Sequence, residues 1–118
     1  MNFMISSFTR LKLSWNRIFW RVAAGGRISF GSHVAIYESV KLAVQQGGKL
    51  TLGSRSSLQK GTVISVAVGA ETELGDDSYA GEYCVLMAKE KIIIGAKVMI
   101  GPHCVFVDYD HLYEPAAE

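Results

Sequence analysis

Residues 105–115 read VFVDYDHLYEP, which places His111 among Asp108, Tyr109, Asp110 and Tyr113. An imidazole titrates near neutrality, so a histidine can take a proton from a hydroxyl and return it within one cycle. Asp108 is a candidate to orient that ring or to hold an acceptor hydroxyl. Asp110 fits better as a turn residue that bonds its own backbone. Tyr109 and Tyr83 are aromatic residues that can line a binding site or equally lie on a surface between subunits. A solvated surface histidine needs no such role. The residues alone leave both readings of His111 open.

The chain has 118 residues and a formal net charge of +1, which sets it against non-specific nucleic-acid binding. The charge is uneven. Arg10, Lys12, Arg17, Arg21 and Arg27 precede the first acid, Glu38, while Glu71, Glu73, Asp76 and Asp77 cluster later. Two cysteines are too few for a disulfide-stapled secreted scaffold. The first ten residues, MNFMISSFTR, lack the pattern of a secretory signal. No apolar run reaches membrane-spanning length. The expectation is a soluble cytoplasmic protein.

What must position these residues falls into two parts, 1–27 and 28–118. In the first, Leu11, Trp15, Ile18, Phe19 and Val22 recur at helical spacing. Ser6 or Ser7 can cap the start, and Gly25–Gly26 can end the helix. Leu13 and Trp20 share another direction and imply a second apolar partner. The spacing predicts an amphipathic helix over Thr9–Val22 that covers one end of the following domain. Its arginines and tryptophans also suit peripheral contact with an anionic membrane surface.

From Ile28 the period becomes six. Apolar first positions fall at Phe30, Ile36 and Leu42; Leu52, Leu58 and Ile64; Leu74, Ala80 and Leu86; Ile94, Ile100 and Phe106. Each triplet has glycine second in its first unit: Gly31, Gly53, Gly75 and Gly95. A short insertion follows every third unit. Fifth positions are mostly small or β-branched, as at Val34, Val40, Ser56, Thr62, Val68, Ser78, Cys84, Val98 and Cys104. The pattern predicts a coil of three short strands per turn, first positions inward and fifth positions filling the corners. Cys84 and Cys104 then share a column as buried free thiols. His33 and His103 fall at exposed fourth positions. Phe106 makes Asp110 a fifth position and His111 a sixth, outside the core.

The segment IGAKVMIGPHCVFVDYDH resembles the hexapeptide-repeat acyltransferases, most closely the sugar O-acetyltransferases of maltose, galactoside and surface-polysaccharide type. Their closing motif runs roughly I-G-P-x-x-x-[IVF]-x-[DT]-x-[DNT]-H. The resemblance covers residues 28–118. It implies an all-β fold, a left-handed parallel β-helix of about four coils behind an N-terminal α-helix. It also implies a homotrimer with active sites between subunits, acetyl-CoA as acyl donor, a sugar or surface-polysaccharide acceptor and no metal. His111 falls on the family's catalytic base, with Asp108, Tyr109 and Tyr83 on the substrate side. Residues that would bind the CoA moiety are not assigned.

Two positions depart from that pattern. Gly81, in YAGEYCV, stands where the maltose and galactoside enzymes carry an acceptor-binding asparagine, which points towards the polysaccharide-modifying branch. Family members also continue with further coils beyond the histidine, so a shortened acyl-donor groove is expected. The alternative is a catalytically silent β-helix that only oligomerises. β-Helical carbonic anhydrases hold zinc with an H-x4-H pair, and His103 and His111 are wrongly spaced for that.

Overall fold

A computed structural model describes residues 26–108. The expected helix over 9–22 lies outside them, as do Tyr109, Asp110 and His111.

Among the described residues twelve short strands follow one another without a helix between them. They are β1 (Ile28–Phe30), β2 (Ala35–Ile36), β3 (Lys41–Val44), β4 (Lys49–Leu52), β5 (Ser57–Leu58), β6 (Val63–Val66), β7 (Glu71–Leu74), β8 (Tyr79–Ala80), β9 (Val85–Ala88), β10 (Lys91–Ile94), β11 (Met99–Ile100) and β12 (Val105–Val107). Every third strand pairs in parallel, giving three four-stranded sheets: β1-β4-β7-β10, β2-β5-β8-β11 and β3-β6-β9-β12. They are sheets one, two and three below. The result is an all-β parallel solenoid of about four coils.

The register follows the six-residue phase. Phe30, Leu52, Leu74 and Ile94 form one column. Ile36, Leu58, Ala80 and Ile100 form the second. Leu42, Ile64, Leu86 and Phe106 form the third. In the two middle coils these residues are almost wholly buried and make the core. Parallel sheets bring strands about 4.8 Å apart, so like residues stack directly.

The corners explain the small residues. After sheets one and two, positions two to five form a tight turn, with the fifth N–H donating to the second carbonyl, as in Ser56 to Gly53 and Thr62 to Gln59. Its third residue must have positive φ. Every fourth position of these corners has it: His33, Ser39, Arg55, Asp77, Tyr83, Lys97 and His103 lie at φ 57–62° and Gly61 at 76°. From the second described coil on, their N–H groups donate to the preceding coil, as in Arg55 to Ser32 and Tyr83 to Lys60. The second-position glycines serve a different need. A Cβ on Gly75 would stand 2.5 Å from the Gly95 carbonyl group, and one on Gly53 would stand 2.6 Å from the Asp76 nitrogen. Coils approach too closely there for any side chain.

Fifth positions tie the coils together. Ser78 Oγ donates to Gly95 O at 2.6 Å and accepts from Val98 N at 2.9 Å. Thr62 Oγ1 donates to Gly81 O at 2.9 Å, and Cys84 Sγ to Gly101 O at 3.0 Å. Ser56 Oγ occupies the equivalent place but is buried without a partner, as is Thr72 Oγ1 in sheet one.

Several sequence expectations need correction, among them Val98 and Phe106 of the last described coil, expected inside but 37% and 38% exposed because no further described coil covers them. Val68 does not fill a corner; it is 67% exposed. After β3, β6 and β9 an inserted turn takes over, and after β6 Ala70, not Val68, packs inward. Cys84 is a buried free thiol as expected, but Cys104 is only half-buried. It belongs to the last described coil, where no further described coil covers it.

Candidate functional site

Asp108 follows β12 and faces the turn between β9 and β10. That turn has two residues, Lys89 and Glu90, where the two earlier turns of this kind have four. Gly47 and Gly69 let the longer turns reverse at positive φ, each closed by a backbone hydrogen bond. The short turn is held by a carboxylate instead. Asp108 accepts from the N–H groups of Lys89 at 2.6 Å, Glu90 at 2.9 Å and Lys91 at 2.6 Å. These bonds, the one from Lys89 first, hold its carboxyl below the ordinary aspartate range against the opposing effect of desolvation. Asp108 therefore anchors backbone one coil back, a role that its place beside His111 did not reveal.

Tyr83 sits elsewhere. It occupies the fourth-position column between sheets two and three, with Ser39, Gly61 and His103. Its ring lies over Gly61, whose added Cβ would run into the Tyr83 ring, and stacks on His103 with centroids 5.7 Å apart and planes 10° apart. Tyr83 is 45% exposed, so one edge of this ladder faces solvent. The backbone of sheet three runs from the Tyr83–His103 corner to the Asp108 turn. Asp108 lies five positions after His103, which at strand rise is roughly 16 Å. The structure does not bring Tyr83 and Asp108 together; it places them at opposite ends of one face.

Beyond Lys41 in the first coil, that face is largely apolar on its outer side. Val63, Val85 and Val105 form one outward column, and Ser65, Met87 and Val107 another. Val105 and Val107 are exposed, and a depression of about 160 Å³ is lined by Ser65, Ala67, Met87, Ala88 and Lys89. Around the corner, on sheet two, a shallow depression of about 380 Å³ is lined by Gln59, Tyr79, Gly81, Glu82 and Pro102, among others. Gly81 has no room for an asparagine: a Cβ there would lie 2.7 Å from Ile100 O. The missing side chain is thus tied to close approach of the last two described coils.

Sheet one differs in kind. Lys49, Glu71 and Lys91 share an outward column, and Arg55 Nε donates to Asp77 Oδ1 at 2.7 Å across the adjoining corner. The second contact, Arg55 Nη2 to Asp77 Oδ2 at 3.0 Å, makes the pair bidentate and holds the Asp77 carboxyl low. His33 and His103 are exposed, as their fourth positions predict. Among the described residues no group of three His, Cys, Asp or Glu could hold a metal ion, and no helix is long and apolar enough to cross a membrane.

In comparisons with known proteins the chain matches no family model, no curated protein and no solved structure.

Proposed function

We propose that the chain is a left-handed β-helical O-acetyltransferase that moves an acetyl group from acetyl-CoA to a hydroxyl of a sugar or surface polysaccharide. The observation that carries this reading is the phase of the repeat up to β12. Val105–Val107 stay in register with Val85–Met87, so the segment leading into the D-Y-D-H motif keeps the same phase as the coils before it. His111 is the general base. Its imidazole takes the acceptor hydroxyl proton as that oxygen attacks the thioester carbonyl carbon. Collapse of the tetrahedral intermediate breaks the C–S bond, and the imidazolium returns the proton to the departing thiolate. Tyr83 and Tyr109 stand on the acceptor side, and Asp108 holds the Lys89–Glu90 turn one coil back.

The assembly is a cytoplasmic homotrimer in this reading. The apolar outer side of sheet three supports it, because Val85, Val105 and Val107 gain from being covered by another subunit. A silent, purely oligomerising β-helix is the second reading. It is favoured by Gly81 without an acceptor contact and by the Asp108 carboxylate being committed to backbone. Release of free CoA thiol from acetyl-CoA, with and without a polysaccharide acceptor, separates the two. The enzyme reading expects acceptor-dependent release that falls by ~10²–10⁴-fold in His111→Ala. Release at the uncatalysed rate by the wild-type chain contradicts it.

A further inference from the structure

The corner between sheets two and three carries one column of fifth positions: Val40, Thr62, Cys84 and Cys104. Its last two members are the only cysteines of the chain. The backbone holds them side by side. His103 N donates to Glu82 O at 2.9 Å just before the pair, and Val85 N to Cys104 O at 2.9 Å just after it. The next residues, Val85 and Val105, are register partners. Parallel pairing therefore sets the two Cα atoms about 5 Å apart, inside the ~4.4–6.8 Å span that a disulfide bridges. Both side chains share one apolar corner, since Cys84 lies in the core and Cys104 packs against it. Cys84 Sγ already points to the next coil. It donates to Gly101 O at 3.0 Å, in the turn that ends at Cys104.

The two thiols differ in access. Cys84 is 0% exposed, while Cys104 is half-buried. A small oxidant reaches the second and not the first, and oxidation of a thiol follows its exposure. We infer that Cys84 and Cys104 form a reversible redox pair, in which hydrogen peroxide oxidises Cys104 and Cys84 resolves the product into a disulfide. Cys104, as the thiolate, takes one oxygen from peroxide and becomes the sulfenic acid. The hydroxide released combines with the proton that Cys104 gave up, forming a first water. The Cys84 sulfur then attacks the sulfenic sulfur, and its proton leaves with the departing hydroxyl as a second water. Two thiols and one peroxide thus give one disulfide and two water molecules. A dithiol reductant returns both thiols by exchange. The new bond replaces the Cys84–Gly101 contact and clasps β12, which starts at Val105, to β9. The inference is independent of the acetyltransferase reading.

Trypsin cuts after Lys89, Lys91 and Lys97, so the thiols fall on separate peptides, 61–89 and 98–118. Mild peroxide treatment of the native wild-type chain should join these two peptides within one chain, and dithiothreitol should part them. Methionine oxidation does not affect this readout. Peptides that stay unlinked, with both thiols still alkylated after unfolding, overturn the inference. So does a disulfide between two chains through Cys104, which assigns a second copy, or linkage that forms only in urea. The urea midpoint should rise on oxidation and return with dithiothreitol, because the folded corner already holds the thiols adjacent. A lower midpoint in the oxidised chain contradicts the pairing. Two variants test the order of events. Cys84→Ser keeps a hydroxyl where Thr62 carries one in the column, and dimedone should then trap the sulfenic acid of Cys104. Cys104→Ser should leave Cys84 unlabelled by dimedone until the chain unfolds. The reverse preference contradicts the roles given to the two thiols.

Discussion

The middle coils and the last described coil carry the same columns of residues with different consequences. Leu86 is fully buried, while Phe106, its register partner, is 38% exposed. Gly75 admits no Cβ, while nothing stands within 4 Å of one built on Gly95. The six-residue phase fixes where a side chain points. Whether that direction is core or surface depends on the coil beyond it. A solenoid is stabilised by nearest-neighbour contacts, and no further described coil lies over β10–β12.

Truncation should show the largest contrast. Leu86→Ala is expected to cost ~2–5 kcal/mol in urea unfolding, since it leaves a cavity between two coils. Phe106→Ala should cost well below the ~3 kcal/mol of a fully buried phenylalanine. Equal losses at the two sites would break the contrast. The glycine column sharpens it. Gly75→Ala should cost ~1–3 kcal/mol through overpacking against Gly95, and Gly95→Ala should stay within about 0.5 kcal/mol.

The fifth-position column gives a smaller difference. Ser78→Ala removes two hydrogen bonds to the next coil and should cost ~1–3 kcal/mol by leaving backbone groups unpaired. Ser56→Ala removes only an unpartnered hydroxyl and should be neutral or slightly stabilising. Thr72→Val, which keeps shape and drops another such hydroxyl, should raise the urea midpoint.

Acid should act at the Asp108 turn. Hydrogen bonding lowers its folded pKa below the unfolded value of about 3.9, so the unfolded chain binds more protons in acid. The stabilisation is complete above that value and is lost as pH falls through the folded pKa. The wild-type urea midpoint should therefore drop below about pH 4. Asp108→Asn should flatten that dependence. An unchanged acid slope in the variant would show that the turn does not rely on the carboxylate.

Much of this fold was legible because the repeat was explicit. Each first-position residue from Phe30 to Phe106 entered its column in register, and the glycines at 53 and 75 proved to sit where coils crowd. Val68 was misplaced because an insertion breaks the phase after Ile64, and counting in sixes runs through it. Cys104 was misjudged because a column says nothing of the coil above. The hydrogen bonds of Asp108 reach back 17 to 19 residues, and only three-dimensional stacking brings those groups together. The Tyr83–His103 stack had a signal, since both are fourth positions one coil apart. His111 and Tyr109 lie outside the described residues, so their roles rest on the motif.

Every address given to a residue here rests on in-register parallel stacking, and paired cysteines test it directly. Ser65 and Met87 are register partners on the outer side of sheet three, at roughly 5 Å, within disulfide reach. In a background of Cys84→Ala and Cys104→Ser, the pair Ser65→Cys with Met87→Cys should form an intrachain disulfide on mild oxidation. Ser65→Cys with Val105→Cys, two coils apart, should not. Efficient closure of the distant pair, or none of the adjacent pair in folded protein, would contradict the stacked coil and the placement of every residue that depends on it.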